Sequence, residues 1–231
     1  MIVVVGLAFE ARIAAGPGVR VICSGDGRNL ASSLRQGIAA GCAGLLSFGV
    51  AGGLAPYLGS GTCVVASSIL ADNGELPIDR SWAQRLLAAL PEAVHGPLIG
   101  VAQPVTTPAA KRALHQDTGA IAVDMESHVV GRAAVEHGLP VAVVRVIADS
   151  AAHALPTAAL DAVRADGSTD VLALLRGLAR RPHEIAPLMR TALAAQAARA
   201  TLRRGRQLLG PGLEVLRLGE RDQDTLEKAA P

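Results

Sequence analysis

The chain has 231 residues, half of them apolar, and a net charge of +2, which suits one compact domain with a full core. An aromatic content of only 2% leaves that core to Ala, Val, Leu and Ile and excludes the stacking platforms used to hold single-stranded nucleic acid. Three cysteines, Cys23, Cys42 and Cys63, odd in number and without a C-x-x-C pair, exclude a disulfide framework and a zinc site, so they read as small buried residues in a reducing compartment with no metal expected.

The first predicted strand is "IVVV" (2–5). No basic leader precedes it and its apolar run breaks at Glu10, so it does not read as a secretory signal, and a cytoplasmic location is expected. A second strand, "VRVIC" (19–23), runs into "SGDGRN". Two glycines and Arg28 at a helix start form either an anion site or a tight turn with a surface arginine. The helix that begins near Asn29 spaces Leu30, Leu34 and Ile38 four apart on one face, and Gly41 is its stop.

From Gln36 to Ala71 no residue is charged, a pattern that hydropathy alone would read as a membrane span. Residues 41–61 hold seven glycines and Pro56, which favours instead two strands, 44–48 and 62–68, around a glycine-rich turn. In that turn, "FGVAGGL", Gly49, Gly52 and Gly53 let backbone approach a ligand closely and free amide N–H groups for an anion or a ribose oxygen. Neither glycine-rich turn has the spacing of a P-loop or a dinucleotide fingerprint.

Helices are expected to begin near Ser81, Pro108 and Ser127, with strands at 98–102 and 120–125. Period two along "AIAVDMES" puts Asp124 and Glu126 on one face and Met125 on the other. Two carboxylates at a strand end need partners, and two readings stand: they cap the following helix, a role Ser127 also suits, or they hold a hydroxyl-rich ligand. The last strand, "VAVVRVI" (141–147), runs into "ADS" and leaves Asp149 at a strand's carboxyl end, where α/β folds place their ligands.

After Ala154 two Ala/Leu/Arg helical segments follow, separated at Pro182 and with a second proline at 187, before a strand-like "LEVLRL" (213–218) and a charged tail. Between Arg176 and Arg206 eight arginines stand against one glutamate; such a segment is either a solvated helix face or a surface for anionic lipid or an acidic partner. The predicted fold is α/β: one domain with a mixed central sheet flanked by helices, a core over 1–154, a helical extension over 155–210 packed on it, and a short segment over 211–231.

Three motifs in order, "SFGVAGGLAPYLGSGTCVVAS", "AIAVDMES" and "VVRVIADS", resemble the type I nucleoside phosphorylase and nucleosidase family. "GLAFEARIAAG", "AAKRALH", "AVDMESH" and the Arg-rich extension ending near "RRGRQLLG" are most similar to its hopanoid-associated phosphorylases. That resemblance implies release of adenine from adenosylhopane, a lipid nucleoside, with inorganic phosphate as co-substrate, no other cofactor, a homo-oligomer and peripheral contact with the inner membrane face.

It also implies roles by position. Glu126 would bind the ribose hydroxyls, Met125 would pack on the sugar, and Asp149 would protonate or hydrogen-bond purine N7. Glu10 is similar to the glutamate that positions water in nucleosidases, although its spacing from Gly6 departs from the common pattern. Asp124 is expected as a structural or secondary sugar contact with Arg145 as its ion-pair partner. His128 and His153, beside the motifs, read as packing or solvent-facing groups. Val50, Ala148 and Ser47 depart from the family by removing hydroxyls and a phosphate-clamping arginine. Phosphate would then rely on Arg28 and on the backbone of Gly49, Val50 and Gly52. The alternatives are a methylthioadenosine/S-adenosylhomocysteine-type nucleosidase using water, and a non-catalytic nucleoside-binding or membrane-docking protein.

Overall fold

Short Val/Ile runs separated by Ala/Leu stretches form one twisted sheet with helices on both faces. The computed structural model describes residues 1–24, 29–72, 74–156, 159, 164, 167–168, 170, 176–177, 179–211 and 213. In chain order the described elements are β1 (Ile2–Val5), α1 (Ala8–Ala14), β2 (Arg20–Cys23), α2 (Leu30–Ala39), β3 (Leu45–Gly53), β4 (Cys63–Ala71), β5 (Gly74–Leu76), α3 (Arg80–Ala89), β6 (Val94–Gly100), α4 (Pro108–Thr118), β7 (Ala122–Asp124), α5 (Ser127–His137) and β8 (Val141–Asp149). A 3₁₀ turn (Pro182–Glu184) then leads into α6 (Ile185–Leu208).

Strands β3, β8, β4, β6 and β7 pair in succession, and β7 returns to the end of β3 through Gly52 and Gly53. The sheet is therefore mixed and closes on itself, with β1 and β2 extending it beside β3 and β5 beside β4. Strand β8 is apolar almost throughout because both its faces are covered. Val141, Val143 and Ile147 pack with α2 and α5, while Ala142, Val144 and Val146 pack with Trp82 and Leu86 of α3 and with Ala198 and Leu202 of α6. Arg145 and Asp149 fall in the odd series, a charged pair of positions in an otherwise apolar row. Between Ile147 and Asp149 the register slips, so that Asp149, not Ala148, stands opposite Gly52; a bulge of this kind re-aims the side chain that follows it.

The uncharged stretch 36–71 forms β3, a glycine-rich turn and β4, and among the described residues no helix is long and apolar enough to cross a membrane. Two elements went unanticipated: α1, only seven residues long, and the three-residue β5. Strand β6 starts at Val94 rather than 98, its first half hidden by the Gly96-Pro97 pair. The three cysteines are free but half-buried rather than buried. Pro187 falls in the first turn of α6, where the missing N–H has no helical partner in any case. Residues 25–28, including Arg28, and 214–218 of the strand expected at 213–218 lie outside the described residues.

Candidate active site

Helix α1 brings Glu10 to the carboxyl ends of β1 and β3. Its carboxylate, 1% exposed, accepts hydrogen bonds from the backbone N–H groups of Gly6 (2.8 Å), Leu7 (2.8 Å) and Val50 (2.7 Å). Burial pushes this carboxyl from an ordinary 4.5 up to about 7; Arg145 pulls against it, and the neighbouring Glu126 adds to it. The Val50 amide, one of those the anion reading offers to phosphate, is thus donated to the chain's own carboxylate.

Arg145, 1% exposed, is the cation around which the site is built. Its Nε lies 2.7 Å from Asp124 Oδ2, and its Nη2 donates to Glu126 Oε2 at 2.9 Å and to Ser47 Oγ at 2.7 Å. Burial pulls the guanidinium down, but Asp124, Glu126 and Glu10 together hold it above the ordinary arginine range. Room for this assembly comes from missing side chains. A Cβ on Gly49, whose φ is +154°, would sit 2.6 Å from Glu10 Oε1 and 2.8 Å from Arg145 Nη1; a Cβ on Gly6 would sit 2.8 Å from Glu126 Oε1.

The two carboxylates of "DMES" divide the two readings between them. Asp124 caps α5: its Oδ1 accepts from the Ser127 N–H at 3.0 Å, the Ser127 hydroxyl donates to Oδ2, and that same oxygen meets Arg145. Ser127 is therefore the capped residue rather than the cap. Glu126 turns to the other side of Arg145, where Oε1 accepts from Ser24 Oγ at 3.2 Å. Burial raises its pKa, opposed by Arg145 and reinforced by Asp124. Met125 is half-buried beside it.

Asp149, 8% exposed, forms an ion pair with Lys111 of α4, a lysine with no exposed surface at all. The three N–H bonds of the Lys111 ammonium go to Asp149 Oδ2, to Ser150 O (3.0 Å) and to His153 O (2.8 Å). Asp149 Oδ1 takes no partner among the described residues. Burial raises the pKa of Asp149 even against Lys111. Lys111 is the residue that sequence reasoning missed as a site group. Its signal was there, inside "AAKRALH", but an ammonium in a predicted amphipathic helix reads as solvated until the helix is docked. His153 is exposed, with Nδ1 2.7 Å from Ser150 Oγ; His128 is half-buried, and burial lowers its pKa.

Glu10, Asp124, Glu126 and Arg145 are thus one buried network, and Asp149 with Lys111 stands at the next strand end. With every carboxyl ionised, three carboxylates and one guanidinium leave that network at −2. A closed mixed α/β sheet with acidic side chains gathered at its strand ends makes the crevice over those ends the candidate site. The chain belongs to the Phosphorylase superfamily, whose family model matches residues 5–180.

Solved structures show the same fold. A 5′-methylthioadenosine/S-adenosylhomocysteine nucleosidase, so described for Francisella philomiragia, superposes with a TM-score of 0.63 at 15% identity, covering 94% of this chain and 98% of that one. The futalosine hydrolase of Helicobacter pylori strain 26695 gives 0.61 at 16% identity, over 90% and 96%. The 5′-methylthioadenosine/S-adenosylhomocysteine nucleosidase of Neisseria meningitidis in complex with methylthio-immucillin-A gives 0.59 at 15% identity, over 88% and 97%. Comparison with the curated proteins returns no match.

Proposed function

We propose that this protein cleaves the N-glycosidic bond of an adenine nucleoside. The observation that carries the reading is the buried pairing of Asp149 with Lys111 next to a network in which Glu126 and Glu10 flank one arginine. As the N9–C1′ bond breaks, its electron pair leaves with the base and the ribose becomes oxocarbenium-like. A proton donated at N7 meets the first charge, and a negative site beneath the sugar meets the second.

Asp149 suits the first task. Lys111 holds Oδ2 and leaves Oδ1 for the purine, and a proton can pass from the ammonium through the carboxyl to N7. Glu126 suits the second: fixed by Arg145 and Ser24, it accepts hydrogen bonds from the ribose hydroxyls. Glu10, with a pKa of about 7, takes a proton from the attacking group near neutral pH, where a general base works best.

That last feature favours water as the nucleophile. An acidic network whose one arginine is already engaged by carboxylates offers phosphate no free cation, whereas a carboxylate buried beside C1′ orients and deprotonates water; the new C1′–O bond and the proton on Glu10 complete the balance. Phosphorolysis, the reaction implied by the sequence resemblance, would draw on Arg28. The same resemblance gives adenosylhopane as the nucleoside.

Purified protein is incubated with adenosylhopane or with 5′-methylthioadenosine, with and without inorganic phosphate, and free adenine is measured. Phosphate-independent release with a free ribosyl product is expected. Release that requires phosphate would reassign the nucleophile, release from the small nucleoside alone would reassign the substrate, and no release from either would point to a binding protein.

A further inference from the structure

Helix α6 is apolar on two sides. One side is accounted for: Ala198, Leu202 and Leu209 beyond its end are buried in the core, Arg199 stacks over Phe9 at 5.4 Å, and Arg206 donates to Ala14 O. The other side carries Ile185, Met189 and Leu193, spaced four apart and therefore in one stripe, and they are 51%, 62% and 63% exposed. Exposed Ala192 and Ala200 lie on the same face, with the uncharged Gln196 between them. Three large apolar side chains aligned on a solvent-facing helix mark a contact surface rather than scattered exposure.

The charges around the stripe identify what it contacts. From Ile185 to Leu208 there are five arginines and no Asp or Glu, and Arg190, Arg203 and Arg204 are exposed. Such a face attracts an anionic surface and opposes its own copy, since a symmetric pairing would bring two such helices together. It is also a convex rod about 36 Å long, which matches a plane better than a groove. We infer that α6 docks this protein on an anionic lipid bilayer, with Ile185, Met189 and Leu193 entering the headgroup boundary and the arginines engaging lipid phosphates.

The test is flotation of the full chain with vesicles of phosphatidylcholine alone or of equimolar phosphatidylcholine and phosphatidylglycerol. The protein floats with the anionic vesicles and not with the neutral ones. Met189→Asp with Leu193→Asp weakens binding at least about ten-fold, and Arg203→Gln with Arg204→Gln weakens it by about five-fold for each arginine and flattens its salt dependence. None of these residues touches the site, so adenine release from a soluble nucleoside stays unchanged, which separates failure of docking from failure of the proposed chemistry.

The inference is overturned if the wild-type chain ignores anionic vesicles, or if the double aspartate variant floats as well as wild type. It is equally overturned if soluble polyglutamate binds as tightly as the vesicles, or if the aspartate pair dissociates an oligomer without altering flotation; the face would then belong to an acidic partner or to a second copy.

Discussion

The buried Glu10 makes a prediction that needs no knowledge of the substrate. Its carboxyl is raised from 4.5 to about 7 by burial, so between those values the folded protein holds a proton that the unfolded chain has released. Stability contributed by this group is complete below pH 4.5 and falls as pH rises to about 7. Each pH unit costs up to about 1.4 kcal/mol, so the whole window costs roughly 3 kcal/mol.

Glu10→Gln removes the titration. It also leaves one side-chain oxygen to serve the N–H groups of Gly6, Leu7 and Val50, which costs about 1–3 kcal/mol irrespective of pH. Urea unfolding of both proteins at pH 5 and at pH 8 measures the difference. The variant should be less stable at pH 5 and should recover to near parity, or better, at pH 8. Glu126 and Asp149, raised in the same direction, are present in both proteins and largely cancel. Parallel stability curves would refute the claim that Glu10 is buried with its pKa near neutrality.

Four further outcomes follow from the same geometry. Asp149→Asn should lower the rate of adenine release by about 10²–10⁴-fold, as for loss of a general acid, with little change in secondary structure by circular dichroism. Lys111→Met strands the Asp149 carboxyl without its cation, so Asp149 should titrate higher still. The pH–rate profile should then shift its basic limb upward, and stability at pH 8 should drop by about 3–5 kcal/mol. Arg145→Met leaves Asp124 and Glu126 buried without their cation and should likewise cost about 3–5 kcal/mol in chemical unfolding, most severely above neutral pH, where the unfolded carboxyls are fully charged. Gly49→Ala drives a methyl group against Glu10 and Arg145 and should cost about 1–3 kcal/mol in thermal or urea unfolding while abolishing most adenine release.

Much of this protein was legible in its residues. Hydrophobic period located seven of the eight strands among the described residues, and four helices, because a run such as "VAVVRVI" must be buried on both faces. Asp124, Glu126 and Asp149 could be singled out because charged groups at the ends of apolar strands are costly without a purpose, whereas Arg145, in mid-strand, entered only as the ion-pair partner that the family resemblance implied for Asp124. What the chain in one dimension could not settle was which carboxylate does what. Period two set Asp124 and Glu126 on one strand face, yet β7 stops at Asp124 and Glu126 already stands at the start of α5; α5 claims Asp124, and Arg145 of β8 shares itself between both.

Lys111 is the clearest case. Nothing in the local pattern sets it apart from a surface lysine, and only the docking of α4 against the end of β8 places its ammonium on Asp149. Local residue types thus determined the elements and nominated the acids by their cost of burial. Pairing, protonation and the burial of Lys111 depend on distances between segments far apart in the chain, and those exist only once the sheet has closed.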